Sequence, residues 1–172
     1  MIKICISGLS SSGKTTLGDI LAAKWKINHI NHSYKHYSKT NEELLEILKQ
    51  SNKKFVKAFD KKIIDAAKKG DCIVTTWLGP WLIKNATLRI WLDGGIKERA
   101  RRYALKSNVK LKDAEEFLKS KDLLTINEFK NVYNIDIMDH SFFDIIINTE
   151  KISTSNILNI IDLLAKRKTQ KV

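Results

Sequence analysis

Apolar positions recur along the chain with two different periods. MIKICIS is nearly continuous in apolar residues and reads as a buried strand, and after it Leu17, Ile20, Leu21 and Trp25 fall on one stripe of a helix running from Lys14 to about Lys26. Asn28–Asn31 reads as a short second strand and NEELLEILKQ as a helical patch. Phe55, Val56, Phe59, Ile63, Ile64 and Ala67 then mark a longer helix that stops at Gly70, which fits a left-handed cap. DCIVTTW is rich in apolar and β-branched residues, WLGPW reads as a turn punctuated by Pro80, and ATLRIWL as the next strand. Ile96 to Lys106 reads as a helix, and the charged stretch Lys110–Tyr133 as one or two helices with little core. FFDIIINT closes the set of strands. The last helix, Ser153 to about Lys166, carries Ile157, Ile160, Ile161 and Leu164 on one face, with Ser153 or Thr154 at its cap.

Buried strands alternating with helices predict a parallel sheet covered on both faces. No repeat or Pro/Gly/Ser-rich linker interrupts the order, so 1–172 reads as a single domain.

The first strand runs straight into GLSSSGKTT, which has Gly8, Gly13, Lys14 and Thr15 at the spacing G-x-x-x-x-G-K-[ST]. A loop that wraps a phosphate must point successive backbone N–H groups inward, and glycine permits the dihedrals and the close approach this requires. The helix opening at about Gly13 turns its free N–H groups toward the same phosphate. Lys14 adds a mobile charge between the β- and γ-phosphates, and the Thr15 hydroxyl can complete a Mg²⁺ shell. The fold class that follows is α/β, a three-layer P-loop NTPase fold with a parallel five-stranded sheet, helices on both faces and a helical lid. Gly8, Ser10, Ser11, Ser12, Gly13, Lys14, Thr15 and Thr16 are the expected ATP-binding residues, with Mg²⁺ at Thr15.

Charge changes this picture little. Thirty-one basic against nineteen acidic residues give a formal net charge of +12. The excess is nearly all lysine scattered over helix faces, the pattern of a solvated surface, although a polyanionic partner such as nucleic acid stays open. Arginines occur only at 89, 99, 101, 102 and 167. No run of eighteen apolar residues and no leader-like N-terminus is found, which predicts a cytoplasmic chain. Cys5 and Cys72 lie in strand-like runs and read as small buried hydrophobes. His29, His32 and His36 are joined by no carboxylate or cysteine that would make them a metal site.

The N-K-x-D and D-x-x-G signals of GTPases are missing, and Asp93, followed by two glycines, fits a strand-end turn better than a Walker B acid. Small size and the charged late helices favour a small-molecule kinase whose lid shuts out water. The order GLSSSGKTT, KINHINHS, FDKKIIDAAKKGDCIVTTWLGPW, ATLRIWL, ERARRYA and YNIDIMDHSFFDIIINTE resembles the archaeal-type cytidylate kinase family of nucleoside monophosphate kinases, from Met1 to about Leu164. The resemblance implies monophosphate-binding helices at about 31–70, a lid at about 107–134, a monomer, and transfer of phosphate from ATP to CMP or dCMP. It places Arg99 and Arg102 at the transferring phosphoryl group and Asp60 in the acceptor helix.

The chain also departs from the family pattern. Thr76–Trp77 stand where a small residue and an arginine grip the acceptor phosphate, Lys121 replaces a lid arginine, and Glu128–Phe129 replace an Arg–Tyr pair. Lys35 and Lys39 are the nearest basic substitutes, and Trp77 and Trp81 are candidates to stack on a base. These departures keep two alternatives open: a kinase for another small acceptor (AMP, UMP, a nucleoside or a coenzyme precursor), and a nucleotide-dependent RNA- or ribosome-binding protein without kinase activity.

Overall fold

The central strand β1 (Lys3–Ser7) is buried along its whole length, as the MIKICIS run requires. In the computed structural model, which describes residues 1–169, it lies between β3 (Cys72–Val74) and β4 (Leu88–Asp93), with β2 (Asn28–Ile30) and β5 (Ile145–Asn148) at the edges. All pairings are parallel and the order is β2-β3-β1-β4-β5. Ile4 pairs with Ile73 and with Leu88, Ile6 with Ile90. The chain turns to opposite sides of β1 on its way to β3 and β4, so a crevice opens at the carboxyl ends of the strands, where ligands bind in such sheets.

Alternation along β1 divides the core. Ile4 and Ile6 face α1 (Lys14–Trp25) and α7 (Thr154–Thr169), packing with Leu17, Leu21, Ile157 and Ile161. Cys5 faces the other way, onto Phe59, Ile63 and Ala67 of α3 (Lys53–Ala67), together with Cys72 and Val74. Both cysteines are free and buried, and burial pushes the Cys5 thiol up to about 12, so it packs as a small apolar side chain. A third cluster joins Leu44 and Leu48 of α2 (Asn41–Gln50) to Ala100 of α5 (Ile96–Ser107) and Phe117 and Leu118 of α6 (Leu111–Tyr133). A short helix, α4 (Gly79–Leu82), forms the WLGPW segment, with Pro80 in its first turn.

Three expectations change. Gly70 is not a left-handed cap, because α3 ends at Ala67 on a right-handed Lys68 and only Gly8 and Gly13 among the glycines have positive φ. Ile20 is 39% exposed, and the buried stripe of α1 is instead Leu17, Gly18, Leu21 and Ala22. The stretch read as one or two helices with little core is the single helix α6, which buries Ala114, Phe117, Leu118, Asp122, Thr125, Glu128 and Phe129. Three of these seven, Asp122, Thr125 and Glu128, are polar, and this hid the stripe from a hydrophobic pattern.

Among the described residues, no helix is long and apolar enough to cross a membrane.

Candidate active site

The loop between β1 and α1 is shaped by three left-handed residues, Gly8 (φ 147°), Ser11 (φ 62°) and Gly13 (φ 100°). A Cβ on Gly8 would lie 2.4 Å from the Leu92 carbonyl oxygen, so that position is fixed by space as well as by dihedral. Lys14, the first residue of α1, folds back over the loop. Its Nζ donates to the Gly8 carbonyl at 2.6 Å and the Leu9 carbonyl at 2.9 Å, and lies 5.4 Å from the Trp77 ring centroid. Burial pushes Lys14 down to about 7, with the neighbouring Lys121 charge adding to the effect. Lys121 itself is pushed down to about 8, again by burial first and by Lys35 next. Asp122 offsets part of the effect at both lysines, and buried cations still held below their ordinary range suit a further anionic partner.

A buried ion pair braces the loop from below. The Arg99 guanidinium donates from Nη1 to Asp122 Oδ2 at 2.6 Å and to the Ser10 carbonyl at 2.9 Å, and from Nε to the Gly94 carbonyl at 2.8 Å. Asp122 in turn accepts from the Ser10 N–H at 3.2 Å. The two side chains are 5% and 9% exposed. Arg99, which the family resemblance places at the transferring phosphoryl group, borders neither cavity here; its Nε and Nη1 bonds run to the Gly94 and Ser10 carbonyls and to Asp122, so it braces the loop. No spacing rule pointed to Asp122, because its partner is 23 residues away and on another helix.

Above the loop lies a cavity of about 580 Å³, within the range of small-ligand sites. Of the residues singled out in the sequence, Ser10, Ser11, Gly13, Lys14, Thr15 and Thr16 border it from the loop, and Lys35, Asp60, Trp77, Arg102 and Lys121 from the surrounding elements. Trp81 does not reach it. One turn of α4 carries that ring away, onto Phe142 and Phe143 at centroid distances of 4.9 and 5.3 Å, which corrects its reading as an acceptor-binding residue. Lys39 also lies off this wall, its backbone N–H donating to Glu43. Thr75, Tyr34, Thr125 and Glu128 line the cavity and were not singled out as binding residues.

The cavity is polarised. Cations gather near the loop, whereas Asp60 and Glu128 supply the acids of the wall formed by α3 and α6. Asp60 is 5% exposed, takes a 2.7 Å hydrogen bond from the Tyr133 hydroxyl on Oδ2, and is pushed up to about 6 by burial. Glu128 is 7% exposed, accepts from the Ser51 hydroxyl on Oε1, has no close hydrogen bond on Oε2 although the Tyr34 hydroxyl lies nearby, and is pushed up to about 7, chiefly by burial.

A carboxyl whose folded pKa exceeds its free value of about 4.3 carries no charge penalty below that value and the full penalty above about 7. Glu128→Gln is therefore expected to raise stability by about 1–3 kcal/mol at pH 8 and to leave it unchanged at pH 4. Urea denaturation at the two pH values checks this.

On the other side of the loop a second cavity, about 310 Å³, is bounded by α1, α5 and the start of α7. It shares Gly13, Thr16 and Arg102 with the first. Arg102 is held there by Glu98 at 3.0 Å and by the Thr149 hydroxyl and carbonyl at 3.0 and 2.7 Å. Ser12, expected at the ATP phosphates, opens to this side. Asp93 ends β4 as a turn residue, its carbonyl accepting from both the N–H and the hydroxyl of Thr149.

Two cavities meeting over a glycine-rich loop at a helix N-terminus, with an arginine at the junction and the loop lysine beside it in the larger cavity, define a P-loop kinase site. The solved structures agree on the fold. Deoxyadenosine kinase from M. mycoides with bound dATP superimposes at TM-score 0.61 with 15% identity, covering 95% of this chain and 99% of that one. An uncharacterized protein from Eubacterium ventriosum superimposes at 0.72, also with 15% identity, over 96% and 99%.

Within that class the chain belongs to the cytidylate kinase-like family, whose model matches residues 3–151. Cytidylate kinase from Pyrococcus horikoshii is 31% identical over 163 residues, covering 92% of this chain and 85% of that protein. Cytidylate kinase from Thermococcus kodakarensis is 34% identical over 152 residues, covering 85% and 78%.

Proposed function

We propose that this kinase transfers the γ-phosphoryl group of ATP to CMP or dCMP with Mg²⁺ as the metal ion. The observation that carries the reading is the meeting of the two cavities at Gly13, Thr16 and Arg102. ATP would place its base in the smaller cavity and lay its phosphates across the start of α1, so that the γ-phosphoryl group faces the larger one. An oxygen of the acceptor monophosphate then forms the new P–O bond as the bond to the β-phosphate breaks, giving ADP and a nucleoside diphosphate. The acceptor oxygen is already a nucleophile, so the protein has to align the two substrates and neutralise charge.

Arg102 stands at the junction, with Lys14 and Lys121 on the side of the larger cavity. Lys35 borders the same end and stands in for the arginine that Trp77 displaces. Lys14 leaves the two loop carbonyls to follow the phosphoryl group, and its burial makes an anionic partner more favourable than water.

The Thr15 hydroxyl borders the cavity next to Lys14 and suits a hard cation that takes one protein oxygen and otherwise phosphate and water. Bound there, Mg²⁺ would supply charge neutralisation between the β- and γ-oxygens. Among the described residues, no three His, Cys, Asp or Glu side chains are grouped to hold a metal. Thr15 is thus the protein ligand assigned to the ion, and Thr15→Val is expected to raise the Mg²⁺ concentration needed for half-maximal rate.

The test is ADP release with Mg·ATP and a panel of CMP, dCMP, UMP, AMP and GMP. The proposal expects strong stimulation by CMP and dCMP that EDTA abolishes. Stimulation by AMP alone, or by nucleosides but no monophosphate, would overturn it.

A further inference from the structure

Helix α6 presents three polar side chains to the larger cavity at positions i, i+4 and i+7: Lys121, Thr125 and Glu128. These spacings put them on one face. At the helical rise, Lys121 and Glu128 are separated by about 10 Å along the axis. Their chemistry runs in one order from the loop outward: a cation beside Lys14, a hydroxyl, and a carboxylate. A nucleoside monophosphate lying along α6 from its phosphate end presents an anion, a sugar and a base edge in the same order, over a comparable length. The wall where the base would arrive holds two buried carboxyl groups from different helices. The Tyr133 hydroxyl occupies Oδ2 of Asp60 and the Ser51 hydroxyl occupies Oε1 of Glu128, while Glu128 Oε2 is buried with no close hydrogen bond and only the Tyr34 hydroxyl, itself on the cavity wall, nearby.

We infer that Glu128, supported by Asp60, reads the exocyclic amino group of the acceptor base and so selects cytosine over uracil. The inference rests on the reading of the larger cavity as the monophosphate site. Its chemistry is the difference between two pyrimidines. Cytosine offers N4–H₂, a donor that a carboxylate accepts, and uracil offers O4 in the same place, an acceptor that a carboxylate repels. A buried carboxylate oxygen with no close hydrogen bond is costly until a ligand donor satisfies it, and of the two groups at C4 only the amino group can do so. Lys121 holds the phosphate at the opposite end and has no part in the choice of base. This assigns a function to the acid that stands where the family pattern has arginine.

The experiment is kcat/KM and equilibrium Kd for CMP and for UMP with wild type, Glu128→Gln and Asp60→Asn, and KM for ATP alongside. Glutamine keeps the size of Glu128 and adds an N–H donor that O4 can accept. Glu128→Gln is expected to lower kcat/KM for CMP about tenfold to a hundredfold, from the worth of a base-edge contact, and to hold or raise that for UMP. The KM for ATP should not move. Asp60→Asn should erode the ratio in the same direction by less. An equal loss on CMP and UMP would overturn the inference and leave the kinase reading standing. If wild type turns over no monophosphate, the kinase reading falls. The Kd ratio then decides: a CMP preference lost in Glu128→Gln supports the role of Glu128, and an unchanged ratio overturns it.

Discussion

Lys14→Met is expected to slow phosphoryl transfer about a hundredfold to a thousandfold, the usual consequence of removing one preorganised charge from a developing oxyanion. The same variant should fold as stably as the wild type at pH 7. Methionine keeps most of the apolar stem, and it removes an ammonium that burial penalises. The sign of the pH dependence follows from the direction of the shift. Burial holds the Lys14 ammonium down to about 7, well below the ordinary lysine value of about 10.5, so in the wild type the unfolded chain binds more protons between these values. This residue therefore makes wild-type stability rise with pH from about 7 to about 10, and the variant should lack that slope. Thermal unfolding across this range, beside the rate measurement, tests both halves. A variant that is inactive and also poorly folded would contradict the account, because Lys14 would then be holding the loop together through Gly8 and Leu9.

The largest stability effect is expected at the Arg99–Asp122 pair. Each side chain is almost fully buried and each bonds the Ser10 backbone, Arg99 at its carbonyl and Asp122 at its N–H. Arg99→Met leaves the Asp122 carboxylate uncompensated, and Asp122→Leu leaves the guanidinium so. Either change is expected to cost about 3–5 kcal/mol, whereas the double variant should recover much of the loss because it leaves neither member of the pair without its partner. A double-mutant cycle by urea denaturation measures this directly. The ATP Kd separates stability from loop shape. The double variant should fold yet bind ATP more weakly, since Ser10 has lost both anchors. Additive losses, with the double variant weaker than either single one, would show that the pair does not act as a unit.

The phosphate loop was legible in the sequence because its demands are local: φ at Gly8 and Gly13, a lysine at the first helical position, and an apolar strand before it. The parallel sheet was legible for a similar reason, since strands buried on both faces leave continuous apolar runs. What escaped depends on burial brought about by distant segments. Arg99 and Arg102 lie one turn apart on α5, yet one is buried against Asp122 and the other stands at the junction of the cavities beside Thr149. Trp77 and Trp81 part in the same way across α4. The inward face of α6 carries Asp122, Thr125 and Glu128, so its polarity looked like a solvated surface. Helix spacing at 121, 125 and 128 was the available signal, and charge content outweighed it. The second cavity joins α5 to residues near the start of α7, a closeness of about fifty residues in sequence separation that no local pattern encodes.

The central claim is that donor and acceptor occupy the two cavities at once and meet over Gly13, Thr16 and Arg102. Isothermal titration with a bisubstrate analogue, adenosine and cytidine joined 5′ to 5′ through five phosphates, tests it most directly. The account predicts one molecule bound per chain, at least a hundredfold tighter than ATP or CMP alone, with the advantage lost in Arg102→Met. Binding no tighter than that of ATP alone, or two molecules per chain, would contradict it.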